Sequence, residues 1–236
     1  MGREGMVIHR RLCVRWLPLA LGVWVGIGHA LAPSPDAETQ LALPPPQLQG
    51  PMSVEQALQQ RRSRREFAAD PISLQDVGQV LWAAQGVTDP SGRRTAPSAG
   101  ARAPLELYLA VGRVTGLRPG VYRYDPRAHA LLEFRSGDLR AALAAAAAGQ
   151  TWMRDAPALL VIAAVPSRTQ ARYGSRAERY VQIEAGHASQ NVYLQCTARG
   201  LATVFVGAFD EALLRQTLSL PAEQTPLGLM PFGRRR

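Results

Sequence analysis

The folded part of the chain announces itself by changes in the spacing of its apolar positions. Ser53 opens S-V-E-Q, the spacing of a capping box, ahead of a helix running towards Gln60; Ser73 starts a second helix, LQDVGQVLWAAQ, that Gly86 can end. Helical patterning resumes in DLRAALAAAAA after Gly137 and again over roughly Ser175 to Arg199, before Gly200. Strand patterning marks LELYLAV, GVYRYD paired with ALLEFRS across Pro126-Arg127-Ala128-His129, ALLVIAAV, and LATVFVGA. ALLVIAAV is apolar throughout, as a strand covered on both faces is. Helices first, then strands interspersed with helices and a hairpin, predict an α+β domain with a mixed or antiparallel central sheet.

Before Ser53 the pattern is different. Residues 16–31, WLPLALGVWVGIGHAL, form an apolar run after Arg10, Arg11 and Arg15, with small residues at Ala30 and Ala32, so residues 1–32 are expected to be an export signal peptide. The Arg10-Arg11 pair fits a twin-arginine signal as well as an ordinary secretory leader, and an uncleaved membrane anchor is the remaining alternative. Either leader directs the protein out of the cytoplasm, to the periplasm. The Pro- and Gln-rich residues 33–51 have no periodic apolar face and are expected to be an extended tether, with the folded domain occupying 52–236.

The charge narrows the chemistry. All 27 basic residues are arginines against 18 acids, a formal charge of +9, and no lysine occurs. A lysine Schiff base, a Ser-Lys dyad and a lysine-bearing phosphate loop are thereby excluded. The arginines are dispersed apart from Arg61–Arg65 and the C-terminal Arg234–Arg236, which suits one phosphate better than a nucleic-acid polymer. His129 and His187 have no ligand-type spacing, so no metal site is expected. Cys196 is expected to be a buried small hydrophobe. No Gly-x-Ser-x-Gly elbow is present.

Arginine forks bind phosphate bidentately and a serine beside them adds a donor, so Arg61-Arg62-Ser63-Arg64-Arg65 reads either as a phosphate site or as a solvated patch. The small residues of Pro97-Ser98-Ala99-Gly100-Ala101-Arg102 and of Val206-Gly207-Ala208 would let backbone N–H groups approach a flat ligand, or serve as plain turns.

Taken together, RRSRREF, APSAGARAPLELYLAV, EAGHASQNVYLQCTARGLATVFVGAFD and LGLMPFGRRR resemble, in that order, the SagB-type (thiazole/oxazole-forming) dehydrogenase branch of the nitroreductase-like flavoenzymes. The resemblance covers nearly all of residues 53–236. It implies a three-layer fold, an intertwined homodimer, FMN as cofactor, and flavin sites shared between subunits. Position by position it implies that Arg61, Arg62, Ser63 and Arg65 hold the FMN phosphate and the pyrimidine side. Pro97, Ser98 and Gly100 would come from the partner subunit, Gly207 and Ala208 would line the reactive edge near N5 and O4, and Arg234 and Arg236 would close on the phosphate. The implied activity is hydride transfer between a donor and a small acceptor such as a nitroaromatic or a quinone.

Azoline-oxidising members carry a Lys-Tyr pair where this chain has Arg172-Tyr173, the candidate catalytic residues. Arginine stays protonated and is a poor general base, whereas Tyr173 can donate a proton. Two alternatives stay open: a peptide-modifying azoline dehydrogenase, and an exported protein that holds flavin without turnover. His187, with Glu184 and Asn191 at helical spacing, is expected in a polar seam at a dimer interface.

Overall fold

The computed structural model describes residues 40–236, so the expected leader and the first part of the tether lie outside the described residues. Seven strands form one sheet: β1 (Gln40–Ala42), β2 (Leu105–Val111), β3 (Gly120–Asp125), β4 (Ala130–Ser136), β5 (Ala158–Ala164), β6 (Leu201–Thr203) and β7 (Thr225–Arg234). Their order is β1-β4-β3-β2-β5-β7-β6 and every neighbouring pair is antiparallel.

Period-two alternation divides the side chains between two layers. Leu105, Leu107, Leu109 and Val111 of β2 face one core, which they share with Val77, Val80, Leu81 and Ala84 of α2 (Leu74–Gln85) and with Val181, Ala185, Ala188, Val192 and Cys196 of α5 (Ala177–Ala198). Tyr108 and Ala110 face the other, with Leu143 and Ala144 of α3 (Arg140–Ala146) and Leu214 and Leu218 of α6 (Glu211–Leu218). β5 is buried at all seven positions because both layers cover it, as its unbroken apolar run predicts. The helices α1 (Val54–Gln60) and α2 begin on full capping boxes at Ser53 and Ser73.

Three expectations are corrected. First, residues 40–51 are extended but are not a free tether. β1 pairs with β4, Leu43 is buried, and Gln79 clasps the backbone of Gln47 by accepting its N–H (2.8 Å) and donating to its carbonyl (3.0 Å). His129 donates from Nε2 to the Pro44 carbonyl (3.0 Å) while Tyr124 hydroxyl donates to Nδ1 (2.8 Å), which fixes the neutral tautomer. Burial holds the His129 pKa below the ordinary histidine range, in keeping with that form. A three-residue strand contact is too short to show as periodicity, and its anchors lie more than thirty positions away in sequence.

Second, LATVFVGA is not one strand: β6 stops at Thr203, and pairing resumes only at the single bridge Val206–Leu229. Third, the inner strand β7 and the helices α4 (Ser167–Tyr173) and α6 are additions to the expected elements. β7 contains Pro226 and Pro231, which ordinarily argue against an inner strand. Pro231 turns its carbonyl to Thr203 Oγ1 (2.9 Å), so its nitrogen faces the β6 side, and β6 pairs there only with residues 232–234. Pro231 therefore takes no bond from the β5 ladder, and Pro226 sits opposite Ala163 beside a break in the β5–β7 register.

A chain begun at Met52 should therefore be less stable than one begun at Glu38 by about 2.5–6 kcal/mol. That figure combines about 1.5–3 kcal/mol for burying Leu43 with about 1–3 kcal/mol for taking the Gln47 N–H from the Gln79 side-chain oxygen. Urea unfolding of the two chains measures it, and equal stabilities would show the segment to be a passive tether after all.

Candidate active site

The tail of α1 delivers the arginine cluster to the free end of β6. Arg61 is the C-cap of α1, and the chain leaves the helix in extended conformation. Arg64 N–H then donates to the Thr203 carbonyl (2.9 Å) and Ala68 N–H to the Arg234 carbonyl (3.0 Å), so residues 61–68 run along the ends of β6 and β7. The resulting cluster centres on Tyr193 of α5. The Tyr193 hydroxyl accepts from Phe205 N–H (2.7 Å) and shares a hydrogen bond with the Ser63 hydroxyl (3.1 Å) in which either group can donate, and the Arg61 guanidinium lies 5.1 Å above the ring. Arg65 lies 5.9 Å over Trp152. Arg62 is turned back onto the carbonyls of Gln59 and Arg61 (both 2.8 Å).

Among the described residues, none of Arg61, Arg62, Arg64, Arg65 and Arg236 is in an ion pair. Five guanidinium groups without carboxylates make this end of the sheet strongly positive. Arg234 differs. Its Nη2 is 2.9 Å from Asp76 Oδ2, whose other oxygen takes Arg199 Nε at 2.7 Å. Asp76 is 2% exposed; burial raises its pKa, but the Ser73 hydroxyl and Arg199 outweigh this and hold it below the ordinary carboxylate range. Of the candidate residues only Arg234 lines the cavity of about 710 Å³ bounded by residues 47–54, α2 and α5.

Beyond Phe205, Gly207 and Ala208 are exposed, and neither N–H donates to any described protein group. The Phe205 ring closes over Gly228, where a Cβ would come within 2.3 Å of the ring, so only glycine there lets the ring lie down.

The other candidates gather elsewhere. Gly100 adopts φ +58°, and a Cβ on it would sit 2.7 Å from Tyr173 Oη and 3.1 Å from Arg172. Tyr173 stacks edge-on with Tyr180 (5.0 Å) and carries the exposed Arg172 guanidinium 5.6 Å over its ring. Ser98 Oγ accepts from Ala103 N–H (2.8 Å), and Pro97 is exposed. Behind this loop Glu184 is 2% exposed with neither oxygen in a direct hydrogen bond. Burial raises its pKa, against the nearby Ser98 hydroxyl, Ala99 N–H and Arg94. Glu184 therefore faces the loop, as Asn191 does through Thr95 (3.2 Å), while His187 alone of the expected polar seam is exposed.

The candidates thus form two groups at the two ends of α5. Tyr193 belongs to the arginine group and Glu184 to the Ser98–Tyr173 group, nine residues apart, or about 14 Å of helix. Tyr193, Trp152 and Asp76 escaped sequence reasoning, and Glu184 was expected only as part of a polar seam. Asp76 was hidden as the third residue of a capping box, and an aromatic inside a helix reads as core. The signal that could have found Tyr193 is its place in a helix of small and polar residues.

The Nitroreductase family model matches residues 58–234. A Methanocaldococcus jannaschii protein named as a nitroreductase is 44% identical over 184 residues, covering 78% of this chain and 92% of that protein. A trifolitoxin-processing protein of Rhizobium leguminosarum bv. trifolii is 31% identical over 134 residues, covering 54% of this chain and 36% of that one. The crystal structure of a Ralstonia eutropha protein, also named as a nitroreductase, superposes with a TM-score of 0.72 at 32% identity, covering 84% of this chain and 90% of the other. With three quarters of its length spanned by the family model, and with the three-layer antiparallel fold in common, the chain belongs to the nitroreductase family.

Proposed function

We propose that the protein is an FMN-dependent oxidoreductase that moves a hydride between a donor and a small organic acceptor, a nitroaromatic or a quinone, at sites shared across a homodimer. The observation that carries this reading is the Tyr193 cluster: unpaired guanidinium groups for a phosphate, followed along one strand edge by two unpartnered N–H groups for a ring. Bound FMN would supply the hydride chemistry. Arg61, Arg65 and Ser63 would hold the phosphate and pyrimidine side, with Arg62, Arg64 and Arg236 adding charge. Gly207 and Ala208 N–H groups would stabilise negative charge on the ring edge. Arg234 reaches a phosphate only by sharing its fork with Asp76.

Dimerisation follows from the separation of the two groups. The Pro97–Gly100 loop meets an arginine cluster only if a second copy brings it there. Val54 and Leu58 of α1 and Ile183 of α5 are 64%, 52% and 45% exposed, the kind of apolar surface that a partner covers. Export to the periplasm by the leader remains part of this proposal.

The resemblance to a peptide-processing protein favours, as a second reading, an azoline dehydrogenase of the SagB branch. Arg172 weighs against it, because removing a carbon-bound proton needs a group that can lose its own proton near the working pH.

Purified protein should be yellow and release FMN, and Arg61→Ala should bind FMN roughly ten- to a hundredfold more weakly, from a lost contact of about 1.5–3 kcal/mol. Absorbance during FMN titration tests both; a colourless protein that takes up no FMN would sink the proposal. Light scattering of the flavin-loaded protein should give the mass of a dimer, and a flavin-bearing monomer would refute the shared site. The flavin-loaded protein should reduce a quinone or nitroaromatic with an artificial donor and leave a thiazoline peptide unoxidised; thiazole formation detected by mass spectrometry would make the second reading the right one.

A further inference from the structure

Away from the sites above, a small cleft of about 170 Å³ lies among β2, the turn joining β3 to β4, and the start of α4. Its walls include Gln85, Arg94, Glu106, Asp125, Arg127 and Arg168. Arg168 is neutralised by Glu106 (2.6 Å). Asp125 turns Oδ1 to its own turn, accepting Arg127 N–H (2.8 Å) and Ala128 N–H (3.3 Å).

Arg94 and Arg127 are different. Among the described residues neither is in an ion pair. Arg94 is half-buried, and its hydrogen bonds go only to neutral oxygens of Gln85, the carbonyl at 3.1 Å and Oε1 at 3.4 Å. Burial first, then the charge of Arg127, push the Arg94 guanidinium down from the usual arginine range, while Glu106 and Glu184 oppose this from beyond ion-pair distance. The more deeply buried arginines elsewhere have carboxylates: Arg140 has Asp138 (2.6 Å) and Arg199 has Asp76 (2.7 Å). Two like charges brought together, one of them partly desolvated, call for an anion between them.

Two further observations support this. The Arg127 guanidinium rests against Gly92, whose Cβ, if it had one, would lie 3.4 Å from Arg127 Nη2, so the 88–94 loop that carries Arg94 also backs Arg127, and both line the same cleft. The Gln85 amide nitrogen is buried without a partner, and its orientation is fixed because Oε1 must face Arg94. The cleft is smaller than the roughly 300–1,000 Å³ of pockets that take whole organic ligands, so it fits a single charged group.

We propose that this cleft binds a small doubly charged oxyanion, as free phosphate or as the phosphate of a monoester, between Arg94 and Arg127 with Gln85 as the neutral wall. The site is separate from the flavin reading and stands or falls without it.

The test follows the melting temperature of the whole protein at constant ionic strength, titrated with inorganic phosphate, with glucose 6-phosphate, or with chloride. Wild type should be stabilised by at least one of the two phosphates and not by chloride; a stronger response to the first indicates the free ion, a stronger response to the second a monoester. Arg127→Gln, an exposed position that leaves the fold intact, and Arg94→Gln should need at least about tenfold more phosphate for the same shift. Arg118→Gln, an exposed residue paired with Glu133, should titrate like wild type. No phosphate-specific shift would overturn the proposal, as would an Arg127→Gln response equal to wild type with loss of the response only in Arg61→Ala. A protein that holds no flavin yet loses its phosphate response in Arg127→Gln would keep this inference and remove the flavin proposal.

Discussion

One hydroxyl fixes the candidate site. Tyr193 Oη takes the N–H of Phe205 at 2.7 Å and meets Ser63 at 3.1 Å, so the arginine loop, the longest helix and the strand edge are held at a single point. Its phenol ring also receives the Arg61 guanidinium. Removing that hydroxyl would strand the Phe205 N–H, free Ser63, and loosen the approach of Arg61, with little change to the two cores. The arrangement explains why an anion site can stand on an otherwise irregular loop: the loop's backbone is tied to β6 through Arg64 and to β7 through Ala68, and its side chains are tied to α5.

The same economy governs charge. In a chain with no lysine the permanent side-chain cations are guanidinium groups; Arg140 and Arg199 are matched by Asp138 and Asp76, and Arg135, Arg215 and Arg235 by backbone carbonyls. Arginines that lack acids and are gathered in groups are the places proposed for external anions. The Arg61–Arg65 loop is one such place, and the Arg94–Arg127 pair is another.

Much of the fold was legible because local signals and tertiary packing agree. Ser53 and Ser73 cap the helices they predict, the apolar run of β5 is buried on both faces, and the β3–β4 hairpin turns where Pro126 to His129 predicted. Legibility failed where long-range partners decide. β7 holds two prolines and two glycines that read as a loop, yet Pro231 turns its nitrogen away from β5 and Gly228 makes room for Phe205. β1 depends on the side chains of Gln79 and His129, far along the chain. Of the candidate site, arginine and small-residue positions were visible as composition and Glu184 as part of a polar seam, but Tyr193 and Asp76 were not, since their importance lies in what they touch. The split into two groups about 14 Å apart on α5 is likewise invisible without coordinates.

That split makes shared sites the central claim, and subunit complementation tests it most directly. Arg61→Ala damages the phosphate side and Gly100→Val damages the loop that packs on Tyr173. Each variant alone should hold little FMN. Unfolded together and refolded as an equal mixture, they should form heterodimers in which one site has both an intact arginine cluster and an intact loop, restoring about one quarter of wild-type FMN binding. A mixture that binds no more FMN than the two variants separately would contradict a site built from two subunits.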